Sequence, residues 1–180
     1  MRITREALLK LAQDTASQRA RADLGILAVY LHGSLLDDEP LLGGTADIDL
    51  FIVHNDEPAI EREIVRISDE VHLDITHYAR RLYRQTRELR LHPWLGPTLY
   101  GCKILYDPQH FMDFTQASVR GQFYRPDQVL GRVQPQVENA RQIWLSLTSP
   151  GGGPDSETVS LYLRAVGLIA NAIAGLSEKP

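Results

Sequence analysis

The sequence predicts an α/β fold: a mixed β-sheet with helices packed on it, followed by a helical C-terminal region. Three observations lead there. Residues 25–32 form an apolar run of strand length, while Val71 to Tyr78 alternate apolar and polar, as a half-buried strand does. Leu8, Leu11, Ala12 and Ala16 recur at helical spacing within residues 4–21. After residue 108 the strand-like runs give way to long stretches of helical periodicity.

Each element follows from local chemistry. Thr4 supplies a capping hydroxyl for the first helix. The run 25–32 reads as a strand buried on both faces. Pro40, Gly43 and Gly44 make residues 35–45 an irregular loop. Residues 46–54 read as a second strand. Pro58 suits the first turn of a helix, and Ile60, Ile64 and Ile67 are expected to mark its buried face. The strand of Asp74 follows. Strand, helix and strand in succession favour a mixed sheet with helices on it.

Residues 79–91 are expected to be helical, with Ala79, Leu82, Tyr83, Thr86 and Leu89 on one side and Arg80, Arg81, Arg84, Arg87 and Arg90 on the other. Pro93, Gly96 and Pro97 indicate a turn with a short helix. Residues 103–108 read as a short strand ended by Asp-Pro. Helices are expected at 108–119, 126–147 and 156–174. In the second, Val129, Leu130, Val133, Val137, Ala140 and Trp144 form an apolar stripe, and Pro135 is expected to kink it. Residues 150–154 are a Pro- and Gly-rich connection. The last helix is apolar nearly all round and is expected to be buried. Little chain follows to cover it, which implies a subunit interface or a longer parent chain. The domain reading is therefore 1–107 for the sheet domain and 108–180 for a helical substrate or interaction region.

Composition narrows the function. The 180-residue chain fits one domain, or one with a small extension, and its 43% hydrophobic and 23% charged residues are ordinary for a globular protein. The net charge of −4 provides no global field to attract nucleic acid. The single cysteine, Cys102, excludes an internal disulfide and suits a reducing compartment. Arg and Asp stud residues 1–25, where a secretory leader would be apolar, so the expected location is cytoplasmic. The apolar stretch 159–176 is interrupted by Arg164 and Asn171 and is not read as a membrane span.

The chemistry concentrates between Tyr30 and Val53. A strand ends in Gly33-Ser34, and the next opens with Asp47-Ile48-Asp49. Side chains at i and i+2 of a strand share a face, so Asp47 and Asp49 project together about 6.6 Å apart along the backbone. Two such carboxylates repel, and a divalent cation is their natural partner; carboxylate oxygens suit Mg²⁺. Glycine permits close backbone approach, Ser34 adds a hydroxyl and an N–H, and a helix opening after it would favour a phosphate. On the later strand His72, Asp74 and Thr76 share one face, which offers a third carboxylate.

Gly33-Ser34, a spacer, then Asp47-Ile48-Asp49-Leu50 resembles the nucleotidyltransferase superfamily that includes DNA polymerase beta, aminoglycoside nucleotidyltransferases and minimal bacterial nucleotidyltransferases. The likeness covers roughly residues 24–107. The spacer is twelve residues and carries Asp37, Asp38 and Glu39 where many members have Arg-Gly; Ala46 stands where serine is frequent. The resemblance implies a nucleoside triphosphate bound at Gly33 and Ser34. It implies two Mg²⁺ ions on Asp47, Asp49 and Asp74, with these three as the catalytic carboxylates. Transfer of a nucleoside monophosphate to a hydroxyl would release pyrophosphate. The acceptor is an antibiotic-like small molecule or a protein side chain, with RNA least favoured. The rival expectation is a non-catalytic member of the same fold, an antitoxin or regulatory partner. The C-terminal helices would then dock a second copy or a helical protein.

Other residues read more plainly. The arginines of 79–91 form a solvated face or meet an anionic partner. His72 and His77 fall on opposite strand faces and serve structural or supporting roles. His32 packs beside Gly33, Cys102 is a small buried residue, and Trp94 and Trp144 belong to core or interface.

Overall fold

A computed structural model describes residues 4–37, 46–148 and 155–177. The chain divides into two compact units, Met1–Leu89 with Trp94–Gly121, and Arg90–Pro93 with Gln122–Pro180.

The first unit is built on a mixed five-stranded sheet. Its strands are β1 (Ile26–His32), β2 (Ala46–His54), β3 (Arg62–Arg66), β4 (Val71–Ala79) and β5 (Lys103–Tyr106), in the spatial order β3-β4-β2-β1-β5. β2 and β4 run parallel; the other neighbours run antiparallel. Helix α1 (Arg5–Ala22) is capped by Thr4, whose hydroxyl accepts from the Ala7 N–H at 3.2 Å. Its Leu8, Ala12, Ala16 and Ala20 join Val29 and Leu31 of β1, Ile48, Leu50 and Ile52 of β2 and Leu73 and Ile75 of β4 in one buried cluster, with Leu105 of β5 packed against it. Small alanines let the helix lie close to the branched side chains of the sheet.

Alternation then sends Asp47, Asp49 and Phe51 of β2 to the other face, with Asp74 and Tyr78 of β4. On that face Tyr30, Phe51 and Tyr78 stack in a row, with ring centroids 4.9 and 6.1 Å apart, and the Tyr30 and Tyr83 hydroxyls meet at 2.9 Å. Short helices α2 (Thr86–Leu91), α3 (Leu95–Gly101) and α4 (Phe111–Arg120) follow β4 and β5. Cys102 is buried, and its thiol is pushed up to about 12 by burial.

The segment after Pro58 is the main departure from the sequence reading. It forms the edge strand β3 where a helix was expected, and Ile60, Ile64 and Ile67 are exposed, Ile64 to 65%. The spacing of those isoleucines fits a helix, but pairing with β4 wins: Glu63 and Val65 turn inward, while Arg62, Ile64 and Arg66 turn out. Residues 79–91 also break up. Arg80–Tyr83 is a 3₁₀ turn and only Thr86–Leu91 is α-helical, so the five arginines do not share one helix face.

The second unit contains α5 (Pro126–Leu147) and α6 (Ser156–Ser177), which pack on each other. The inward positions of α5 are Gln128, Arg132, Val133, Gln136 and Ala140. Arg132 is tolerated because its Nη1 donates to the carbonyls of Arg90 and Phe123 at 3.0 and 2.9 Å, and its guanidinium lies 3.8 Å from the Phe123 ring centroid. Leu130, Val137 and Trp144, expected in a buried stripe, are exposed; Trp94 is exposed as well.

α6 contributes small residues to the seam. Ala165 and Ala172 are buried, and a Cβ at Gly175 would sit 3.2 Å from Val133 Cγ2. The larger residues of α6, expected to be buried, point away: Val159, Leu163, Val166, Ile169, Ile173 and Leu176 are 45–62% exposed. A helix seam selects side chains that allow close approach, so bulk is left outside. By length and composition α6, at 22 residues and a mean hydropathy of 1.6, is long and apolar enough to cross a membrane.

Candidate functional site

The corner after β1 is set by backbone geometry. Gly33 has φ +93° and ψ −170°, a conformation open to glycine and strained for other residues. A single 3₁₀ turn, Ser34–Leu36, follows. The helix expected there is thus one short turn, and the phosphate-attracting dipole of a long helix is absent from the described corner. Arg5 of α1 ties the turn down by donating from Nε to the Leu35 carbonyl at 3.2 Å and from Nη2 to the Leu36 carbonyl at 2.9 Å. The acidic loop residues Asp38 and Glu39 lie outside the described residues.

β2 brings its two aspartates to this corner. Asp49 is paired in register with His32 on one side and with Asp74 on the other. A Cβ at Gly33 would sit 2.2 Å from Asp49 Oδ2, so the absence of a side chain at Gly33 makes room for that carboxylate. Burial, then the charges of Asp74 and Asp47, push the Asp49 carboxyl above its ordinary range, with Arg62 pulling the other way. Asp47 is exposed, and its Oδ1 lies 3.6 Å from His72 Nδ1.

Asp74 has a different environment. Arg62 reaches across from β3, where it sits opposite Thr76, and forks onto Asp74. Nε donates to Oδ1 at 2.8 Å and Nη2 donates to Oδ2. Both oxygens of Asp74 therefore accept from one guanidinium. Arg62 is a functional candidate that the sequence does not single out: Arg62-Glu63-Ile64-Val65-Arg66 carries no apolar–polar alternation, and only the pairing with β4 places it.

His32 flanks the corner as a neutral ring: burial lowers its pKa, partly opposed by Asp37. Its Nδ1 is buried with no hydrogen-bond partner in the described structure. A cavity of about 380 Å³ opens beside Arg62 and the C-terminal end of β4, lined by Arg62, Thr76, His77, Tyr78, Arg81 and Leu82 among others.

The other residues singled out in the sequence lie elsewhere. His77 sits on the α1 face, 2.9 Å from His54 and 3.2 Å from Glu63. Arg81 is paired with Glu57, and the Arg80 guanidinium lies 5.5 Å from the Phe111 ring centroid.

The donor set can be tested against magnesium. Asp47 and Asp49 offer hard oxygens on one face beside a corner cleared of side chain, which fits one divalent cation. Each oxygen of Asp74 accepts one N–H of Arg62 in this arrangement. Among the described residues no group of three or more His, Cys, Asp or Glu side chains is set to hold a metal. Asp47 and Asp49 thus fit a first ion, while a second ion on Asp74 would share that carboxylate with Arg62.

No family model and no curated protein matches the chain. Among solved structures it is similar to a nucleotidyltransferase-like protein from Exiguobacterium sibiricum 255-15, with a TM-score of 0.46 and 10% identity over 93% of this chain. The chain spans 55% of that protein's length. A likeness of that extent does not define a function.

Proposed function

We infer that this protein is a nucleotidyltransferase: it binds a nucleoside triphosphate at the Gly33–Ser34 corner and transfers a nucleoside monophosphate to an acceptor hydroxyl, releasing pyrophosphate. The observation that carries the reading is the fit of the Asp49 carboxylate into the space left by Gly33. It stands within range of two further aspartates whose charges raise its pKa. Folding gathers like charges only against resistance, so such a cluster is more readily explained by a cationic ligand than by packing.

Each residue has a role in this reading. Gly33 leaves the room that the Asp49 carboxylate takes at the corner. Ser34 offers a hydroxyl to phosphate oxygens. Asp47 and Asp49 hold magnesium, which when bound supplies the positive charge that screens the phosphates. The neutral ring of His32 adds no second positive charge at the corner. The cavity lined by Thr76 and Tyr78 is the acceptor side, and it suits an antibiotic-like small molecule or a protein side chain. The net charge of −4 disfavours an RNA end.

The test is label transfer. The full chain is incubated with α-labelled nucleoside triphosphates, Mg²⁺ and panels of hydroxylated small molecules and proteins. Transfer by the native chain that is lost in Asp47→Asn and Asp49→Asn supports the reading. Transfer that persists in both variants overturns it, as does the absence of both transfer and triphosphate binding in the native chain.

A further inference from the structure

We propose that Arg62 takes the place of a second metal ion, so that this site holds one divalent cation where three carboxylates would otherwise call for two. The proposal rests on the reading of Asp47 and Asp49 as cation ligands and specifies how that site is regulated in charge.

The geometry is the first support. Arg62 uses the fork of its guanidinium on Asp74, one donor to each oxygen. That pairing is bidentate, the arrangement in which arginine competes best for a carboxylate. A metal ion on Asp74 would have to share the carboxylate with that guanidinium, since each oxygen already accepts from one N–H group.

Charge is the second. Arg62 brings a guanidinium onto Asp74 at the edge of the three-carboxylate cluster. Three carboxylates and one guanidinium leave two negative charges, which one divalent cation neutralises. Without the guanidinium a third negative charge remains, and a second ion gains a ligand.

Strand pairing is the third. Arg62 is opposite Thr76, and Asp74 is its diagonal neighbour two residues along β4. Diagonal neighbours lie roughly 7–8 Å apart, within the reach of an arginine. The side chain is 62% exposed, so it is held by Asp74 and not by surrounding packing.

The experiment counts ions and does not depend on turnover. Mn²⁺ binding to the full chain is measured by electron paramagnetic resonance and by calorimetry, with circular dichroism confirming the fold of each variant. One ion is expected for the native chain and for Arg62→Lys, which keeps the charge. Two are expected for Arg62→Ala, and one again for Arg62→Ala combined with Asp74→Asn. Two ions on the native chain, or one ion on Arg62→Ala, overturns the proposal while leaving the Asp47–Asp49 site intact. No ion on any variant removes that site itself, and with it the proposal. A variant that loses its fold is replaced by Arg62→Gln, for which the same two-ion result is required.

Discussion

The parallel pair β2 and β4 carries a charged cluster at each end, and the two are built on opposite principles. At the far end, on the α1 face, His54 meets His77 at 2.9 Å, His77 meets Glu63 at 3.2 Å, and His54 lies 3.4 Å from Asp23. Arg19 adds a guanidinium at 3.1 Å from Glu63. Each acid there faces a group that can carry the opposite charge, and the array closes on itself. At the near end, on the other face, Asp47, Asp49 and Asp74 gather with two partners, Arg62 on Asp74 and His72 at 3.6 Å from Asp47, which leaves Asp49 between like charges. A closed array stabilises a fold by itself, whereas an unbalanced one is stabilised by something added. On the proposed reading the unbalanced end is the one that receives a ligand.

Substitutions that break this contrast are ranked by the size of their effect. The largest is Asp49→Asn: label transfer is expected to fall by more than about 100-fold, since even supporting residues of metal sites cost that much. The same variant is expected to be more stable at neutral pH, by about 0.5–2 kcal/mol, as strained functional sites commonly are when relieved. The sign follows from the raised pKa of Asp49. A carboxyl that holds its proton more tightly folded than unfolded makes ionisation costly to the fold. That cost is complete above the folded pKa and vanishes below the unfolded one. Denaturant unfolding at pH 7 and pH 4 checks both halves: the gain of the variant is expected at the higher pH and is expected to shrink at the lower.

Gly33→Ala comes next. Its Cβ would be forced into the Asp49 carboxylate, and its backbone conformation is one that alanine resists. A loss of about 1–3 kcal/mol is expected from the backbone alone, together with loss of transfer; thermal unfolding and the label assay read the two.

The histidine end gives a smaller, pH-dependent effect. Burial, then His77, lowers the pKa of His54, against the pull of Asp23. Its neutral form is therefore favoured in the fold. Its contribution is complete above the unfolded pKa of about 6.5 and is lost as pH falls through the folded value. The melting temperature is expected to decline from pH 7 to pH 5, and to decline less in His54→Gln. Smallest of all is Arg81→Ala. The Arg81–Glu57 pair is exposed on both sides, so thermal unfolding is expected to be unchanged.

The sheet and the aspartates were legible because period 2 is unambiguous when both faces differ in chemistry. Val71 to Tyr78 alternates without a break, and it places Asp74 beside Asp49. The helices after residue 108 were legible from long apolar repeats, and Pro126 fixed one start. Burial within them was not. Arg132 is inside because two carbonyls and a ring meet it, and those partners come from distant positions in the chain. Edge strand β3 was hidden for a related reason. Its isoleucines face out, so their spacing reports no core, and only a partner strand decides between helix and sheet. Arg62 was lost with it, which is why three carboxylates were read without their counter-ion.

β3 is an edge strand five residues long, hydrogen-bonded to β4 alone within the sheet. Short edges of this kind open at lower free energy than central strands. The guanidinium that balances Asp74 thus rides on an easily melted segment, while Asp74 itself sits one strand further in. Transient fraying of these few residues would strip the carboxylate of its partner without disturbing α1 or the centre of the sheet. Hydrogen exchange along Arg62–Arg66 therefore gauges how often the third aspartate is laid bare.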